Sequence, residues 1–173
     1  MARLQDVWKH LVASDGPLPF VLIDGAGLEQ GARGIPTGIF SDVECLFSGE
    51  LAEELRDVAP YVGRLASLDD LAEKAVSELV EGHSAILVLC KDKSVTLSQV
   101  HRHLRKFNTV YGPDGIALFF RYYDPRVIVD VLGVLEPEQL NAFFGPIGAL
   151  VVSDRKGQVK RCYVQAGRLE VDG

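Results

Sequence analysis

The chain has 173 residues, of which 47% are hydrophobic and 24% are charged, and its formal net charge is −6. These values predict one globular domain, 1–173, that can bury a core and has room for two lobes. The acidic balance argues against a nucleic-acid partner, and no apolar run approaches the roughly 18 residues that a membrane span needs.

The three cysteines indicate the compartment. Cys45, Cys90 and Cys162 lie far apart without a C-x-x-C pair, and each sits in or beside an apolar run. This pattern predicts reduced structural thiols rather than a disulfide framework. Because the N-terminal residues carry charges and have no uninterrupted apolar region typical of a signal peptide, we expect a cytoplasmic protein unless another protein carries it out.

The chain begins with a predicted amphipathic helix at 2–13 and an apolar strand at 19–23. The strand is followed by Asp24-Gly25-Ala26-Gly27. A dinucleotide-binding loop needs G-x-G-x-x-G at the start of a helix, and here Gln30 stands at the position of the third glycine. We therefore expect a surface loop with one irregular turn and no cofactor.

Further helices and strands alternate up to residue 90. Ser48 is predicted to cap a helix that ends near Val58, and a strand is predicted at 61–65. Ser67 and Asp70 then indicate the start of a second helix. Its predicted apolar stripe is Leu68, Leu71, Ala75 and Leu79.

Residues 85–90 are apolar throughout, with no alternation. A strand of this kind is buried on both faces, and helices are predicted before and after it. The pattern therefore predicts an α/β fold with a parallel or mixed sheet covered by helices on both sides.

The helix predicted at 96–107 has the clearest start in the chain, because Thr96 can cap it and Gln99 can complete a capping box. Its predicted buried stripe is Leu97, Val100, Leu104 and Phe107. The opposite face carries His101, Arg102, His103, Arg105 and Lys106. This basic face is either solvated or a docking surface for an acidic partner, with Arg102 and Arg105 as candidate contacts. His101 and His103 point to different sides of a helix, so no metal site is expected there.

A strand predicted at 116–120 leads into a helix that ends near Gly133, through Arg121-Tyr122-Tyr123-Asp124-Pro125-Arg126-Val127. Strand alternation predicts that Tyr122 faces one side of the sheet, whereas Arg121 and Tyr123 face the other at the C-terminal rim. Asp124 is predicted to cap the helix, with Pro125 in its first position. A cation at position 126 opposes the helix dipole, so either an internal ion pair or a partner contact accounts for Arg126.

The C-terminal region begins with a predicted short helix at 137–144, for which Glu136 is a poor cap. Phe143 and Phe144 align with Leu140 as a stripe that favours the core over partner contact, and Gly145-Pro146 ends the helix. Strands predicted at 147–152, 159–165 and 168–171 indicate an antiparallel meander.

Five blocks carry a family resemblance. They are LIDGA (22–26), SGELAEELRDVAPYVGRL (48–65), LRKF (104–107), FRYYDPRV (120–127) and LEPEQLNAFFGP (135–146). In this order they resemble the Tap/Tec family of type VI secretion effector adaptors over about 21–154, with Tyr122, Asp124, Pro125, Phe143, Phe144, Gly145 and Pro146 as structural motif residues. That family more often has Asp at the position of Glu136.

The resemblance implies a cytoplasmic chaperone that binds a cognate effector toxin and helps to load it onto a VgrG or PAAR spike protein. It implies no enzymatic activity, cofactor or metal. Aromatic and arginine side chains carry most interface energy, which makes Arg121, Tyr123 and Arg126 candidate partner contacts.

A hydrolytic enzyme is the alternative interpretation. Arg121, Tyr123, Asp124 and Arg126, with His101 or His103, are residue types that can bind and cleave a phosphoester. The chain has no P-loop, G-x-S-x-G or H-E-x-x-H motif, and it shows no second acid or base at a recognisable spacing. These observations favour the adaptor.

Overall fold

A computed structural model describes residues 4–173 of the chain. The helices are α1 (Leu4–Ala13), α2 (Glu53–Asp57), α3 (Asp70–Glu81), α4 (Leu97–Arg105), α5 (Pro125–Leu132) and α6 (Pro137–Phe144). The strands are β1 (Phe20–Asp24), β2 (Phe40–Cys45), β3 (Pro60–Leu65), β4 (Ala85–Cys90), β5 (Thr109–Tyr111), β6 (Ala117–Phe119), β7 (Ile147–Ser153), β8 (Val159–Gln165) and β9 (Arg168–Asp172). The first residues of the helix predicted at 2–13 lie outside the described residues.

Seven strands form one sheet in the order β2-β3-β1-β4-β7-β8-β9, while β5 and β6 form a separate hairpin. The α/β class and the C-terminal antiparallel meander of β7, β8 and β9 are confirmed. Every pairing among the described strands is antiparallel, which differs from the parallel or mixed direction inferred from 85–90. A strand whose side chains are all apolar is buried on both faces, but this pattern does not determine strand direction. Helices that cover both faces of a sheet bury an antiparallel strand as well as a parallel one.

The sheet separates two apolar cores. On one side, strand residues such as Leu22, Ile86 and Val88 pack with α4, α5 and α6. On the other side, Val21, Ile23 and Leu87 pack with α1 and α3, because successive side chains of a strand point to opposite faces. The prediction that helices cover both faces is therefore confirmed.

The predicted start of α2 is wrong. The helix begins at Glu53 after Ala52, which makes no side-chain cap, rather than at Ser48. Gly49 adopts a φ of +86°, so the chain turns immediately after Ser48 and cannot enter a helix there.

The start and the buried face of α3 also differ from prediction. Asp69 is the cap, accepting a hydrogen bond from Ala72 N at 2.9 Å, and Ser67 donates to its carboxylate at 2.6 Å. The buried side chains are Ala72, Val76, Leu79 and Val80. Leu71 is 60% exposed, so the predicted stripe is rotated about the helix axis.

The strand predicted at 116–120 lies outside the main sheet. β6 pairs with β5 through Val110 and Leu118, and the turn 112–115 joins the two strands. All three side chains of β6 are exposed. The glycines and the proline of that turn produce a hairpin, whose two strands extend beyond the sheet.

Local signals at α4 and α6 are confirmed. Thr96 and Gln99 form the predicted capping box, and Leu97, Val100 and Leu104 are buried. In α6, Leu140, Phe143 and Phe144 are buried and the helix ends at Gly145. Glu136 is a poor cap by residue type, but Gln139 Oε1 accepts a hydrogen bond from Glu136 N at 2.9 Å, which stabilises the start of the helix.

Candidate functional site

Asp124 is the N-cap of α5 and contacts both the backbone and the side chain of Arg126. Its Oδ1 accepts a hydrogen bond from Arg126 N at 3.0 Å, and Pro125 stands at the start of the helix, so the predicted cap is confirmed. The same carboxylate accepts from Arg126 Nε and Nη2, each at 2.9 Å. Of the two roles left open for Arg126, the structure contains the internal ion pair.

This pairing keeps Asp124 charged. Burial raises the pKa of Asp124, but the hydrogen bonds and the charge of Arg126 outweigh burial and lower that pKa overall. A carboxylate that accepts three hydrogen bonds from one arginine is a poor candidate for a general base.

A second carboxylate lies nearby at the end of β1. Asp24 is fully buried, and its Oδ2 accepts a hydrogen bond from Arg121 Nη2 at 2.7 Å. Its Oδ1 accepts from Ala26 N at 3.2 Å, which starts a short 3₁₀ turn over Gly25–Gly27. The loop after β1 therefore contains two 3₁₀ turns, the second at Gly31–Gly34, instead of one irregular turn. Gly25 is buried, but Ala26 and Gly27 are exposed, as expected for a surface loop.

The environment of Asp24 differs from that of Asp124. Burial raises the pKa of Asp24, and the charge of Arg121 opposes that increase without cancelling it. Sequence reasoning missed this pair because its members lie 97 positions apart in the chain. An aspartate directly after four apolar strand residues was the available signal, since a buried carboxylate needs a partner.

Tyr123 does not lie where the sequence placed it. The chain turns after Arg121, with Asp124 N donating to Arg121 O at 3.1 Å, and this turn directs both tyrosines inward. Tyr123 is 3% exposed and Tyr122 is fully buried. The expectation that Tyr123 is a surface anchor is therefore corrected: its ring packs in the core, 5.7 Å from the Arg121 guanidinium.

Tyr122 belongs to an aromatic cluster under α4 and α6. Its ring meets Phe107 and Phe143 edge to face, at centroid distances of 6.4 and 5.9 Å. Phe143 and Phe144 are core residues, as predicted. The Tyr122 hydroxyl has no hydrogen-bond partner among the described residues.

At this junction between the hairpin and α5, the cationic side chains are exposed and the carboxylates are buried. The Arg121 side chain is 46% exposed and that of Arg126 is 53% exposed, while both carboxylates lie beneath them. Guanidinium groups in this position can still donate to a partner's carboxylate or carbonyl groups.

The basic face of α4 divides into two parts. His101 Nε2 donates to Cys45 O at 2.8 Å, and its Nδ1 lies 3.1 Å from a Glu44 carboxylate oxygen. His103 Nε2 donates to Phe143 O at 2.7 Å. Both histidines therefore bind neighbouring elements through their rings instead of joining Asp124 in one constellation.

Burial lowers the pKa of His103, and its hydrogen bond to the Phe143 carbonyl opposes that change. Arg102, Arg105 and Lys106 form the exposed part of the face. Within residues 4–173 these three side chains have no acidic partner, and Arg102 donates only to Ser98 O of its own helix.

The described part of the chain contains no group of three or more His, Cys, Asp and Glu side chains arranged to hold a metal ion. All three cysteines are free. Of the helices in residues 4–173, none has both the length and the apolarity that crossing a bilayer requires.

The fold and rim define an α/β domain whose antiparallel sheet is covered on both faces and whose two buried carboxylates each bind an arginine. A comparison with protein families matches residues 20–142 to the family described as "Domain of unknown function (DUF4123)". The chain belongs to this family. The matched region includes Asp24, Arg121, Asp124 and Arg126. Neither the curated proteins nor the solved structures contain a match to the chain.

Proposed function

We propose that the chain is a cytoplasmic adaptor of the Tap/Tec type, which binds a cognate type VI secretion effector and helps to load it onto a VgrG or PAAR spike protein. Membership of the DUF4123 family supports this proposal, because four of the five blocks that resemble effector adaptors lie wholly inside the matched residues 20–142.

The main support for this proposal is that the carboxylates of Asp24 and Asp124 are already bound by arginines. A phosphoesterase would need a carboxylate or imidazole that is free to move a proton at the substrate. Asp124 accepts three hydrogen bonds from Arg126, and Asp24 is buried beneath Arg121. The exposed guanidinium groups suit recognition of another protein better than acid-base chemistry.

Co-expression with the toxin and spike protein encoded beside the adaptor tests the proposal. We expect the toxin to co-purify with the tagged chain through size-exclusion chromatography, and a ternary complex to form when the spike protein is added. A stable chain that captures neither protein would contradict the adaptor role.

An enzymatic assay tests the alternative. We expect no turnover of phosphoester, glycoside, peptide or acyl substrates, and no stoichiometric metal or nucleotide in the purified protein. Hydrolysis that survives repurification and disappears in Arg121→Ala or Asp124→Asn would favour the phosphoesterase.

A further inference from the structure

Five of the eleven large hydrophobic side chains that are exposed among the described residues lie in the β5–β6 hairpin and its turn. Its large exposed side chains are Val110, Tyr111, Ile116, Leu118 and Phe119. The only charged residue between Thr109 and Phe119 is Asp114, in the turn. Exposed apolar side chains that are contiguous in this way mark interaction surfaces, whereas single ones are ordinary.

The two faces of the hairpin differ. Directly paired residues share a face, so Val110 and Leu118 lie together, and Tyr111 lies with Ala117 on the other side. Phe119 contacts the body of the protein through Phe47, with ring centroids 5.2 Å apart. Val110 and Leu118, which are 37% and 51% exposed, form a purely aliphatic face, whereas Tyr111 and Phe119, which are 74% and 61% exposed, lie on the aromatic face.

A group of cations adjoins the base of the hairpin. Asn108 N donates to Arg105 O at 3.4 Å, so the last turn of α4 runs directly into β5. Lys106 lies three residues before Thr109, a separation of at most about 10 Å along an extended chain. The exposed cations Arg102, Arg105 and Lys106 have no acidic partner in the described residues, although the whole chain has a net charge of −6.

The hairpin base itself is fixed to the body. Asn108 Nδ2 donates to Leu46 O at 2.8 Å, and Phe120 N donates to Asn108 O at 3.0 Å. The apolar hairpin and the basic end of α4 therefore keep a defined relative position. A ligand that is complementary to both combines apolar and acidic groups.

We propose that this composite surface, the hairpin together with Arg102, Arg105 and Lys106, binds an acidic amphipathic helix of a partner protein. The inference rests on the proposed adaptor function and assigns that function a surface and a partner chemistry. Apolar residues of the helix cover Val110 and Leu118, and its acidic residues pair with the cations of α4.

A helix fits this surface better than an added strand. β5 and β6 have three residues each, so pairing along either free edge offers few backbone hydrogen bonds. The binding energy must then come mainly from buried side chains. Two strands about 5 Å apart present an apolar strip that the stripe of one helix can cover.

Fluorescence anisotropy with a synthetic peptide tests the surface. The probe is a helix of about 20 residues, long enough to be helical in isolation, with leucines at i, i+4 spacing and glutamates on the other face. One control peptide has the same composition in a scrambled order, and a second has lysine for glutamate. We expect the acidic amphipathic peptide to bind and both controls to bind at least about tenfold more weakly, a difference of about 1.4 kcal/mol.

Matched variants locate the binding. Leu118→Lys and Arg105→Glu should each weaken acidic-peptide binding by about tenfold or more. Leu71→Lys and Lys74→Glu are the controls on α3, beyond the sheet, and should bind as the wild type does. Leu71 and Leu118 have similar exposures of 60% and 51%, so neither lysine variant removes core packing. Equal binding by all four variants, or no binding by the wild type, would overturn the proposal.

Co-purification with the toxin separates this inference from the adaptor function. If Leu118→Lys and Arg105→Glu capture the toxin as the wild type does, the adaptor function stands and the assigned surface is wrong. If the peptide binds at the hairpin but no toxin is captured, the surface stands and the proposed function fails. Light scattering supplies the remaining test: a dimer that Leu118→Lys converts to a monomer would show that a second copy covers the hairpin, which contradicts the proposal.

Discussion

Removal of Arg121 should destabilise the protein much more than removal of Asp24, although the two residues share one ion pair. Asp24 is fully buried, whereas 46% of the Arg121 side chain is exposed. In Arg121→Ala the carboxylate stays in the core without its cation. In Asp24→Asn the guanidinium can turn into water, and the amide oxygen can still accept from Ala26 N.

The magnitudes follow from this asymmetry. Loss of one partner of a buried pair costs about 3–5 kcal/mol when the remaining charge stays buried. The variant can limit this cost by protonating Asp24, which for an ordinary aspartate requires about 4 kcal/mol at pH 7 and about 1.5 kcal/mol at pH 5. We therefore expect Arg121→Ala to lose about 3 kcal/mol at pH 7 and at most about 1.5 kcal/mol at pH 5, while Asp24→Asn loses about 1 kcal/mol or less.

The sign of the pH dependence follows from the direction of the shift. A carboxyl group whose pKa is raised by folding destabilises the native state above that pKa, and the destabilisation is relieved as the pH falls through it. Burial raises the pKa of Asp24 in the wild type, and removal of Arg121 takes away the charge that opposes this increase. The loss of unfolding free energy in Arg121→Ala relative to the wild type should therefore become smaller as the pH falls.

Urea unfolding at pH 7 and pH 5 measures these differences through the fluorescence of Trp8, the single tryptophan, which is buried in α1. The double variant Asp24→Asn/Arg121→Ala is the decisive control, because it removes the stranded charge. It should recover most of the stability lost by Arg121→Ala alone. The stranded-charge explanation would be refuted if the stability loss of the double variant equalled the sum of the two single losses. It would also be refuted if Arg121→Ala lost the same stability at both pH values.

Three further predictions are measured by urea unfolding at pH 7. Asp124→Ala should lose about 1 kcal/mol of stability for the cap and up to about 1 kcal/mol for the half-exposed ion pair with Arg126. Asp124→Asn keeps a cap acceptor, so it should lose only the contribution of the ion pair. Equal losses in the two variants would contradict the cap. Gly145→Ala should lose more than about 1 kcal/mol, because φ is +43° and an added Cβ meets the His103 ring, and a wild-type stability would show that this turn adapts freely. Thr96→Ala should lose about 1 kcal/mol and Thr96→Ser much less, so identical stabilities of the two would argue against the capping box.

The sequence predicted features whose interacting groups lie close together along the chain. Thr96 with Gln99, and Asp124 with Pro125, show both halves of a capping arrangement within a few residues. Burial of β4 on both faces was also visible, because each of its side chains is apolar. These signals determine the helix starts and the covered sheet without any knowledge of tertiary contacts.

The site was less predictable because it depends on contacts between distant residues. No pattern links Asp24 to Arg121, which lie 97 positions apart in the chain. The position of Tyr123 followed from continuing strand alternation past Arg121, where the chain actually turns. The run 116–120 was predicted as a strand, but its place in a hairpin outside the main sheet depends on pairing with β5, which its apolarity alone does not reveal because much of a protein surface is apolar.

The match to residues 20–142 and the folded domain have different boundaries, which matters for recombinant expression. β4 pairs with β7, for example through Val88 and Leu150, and β7 lies entirely after the matched region. A fragment cut at residue 142 would leave β4 as an unpaired edge and would sever α6 before Phe143. Such an edge is a template for aggregation. Expression trials on relatives should therefore extend past the family match through the strands equivalent to β7, β8 and β9.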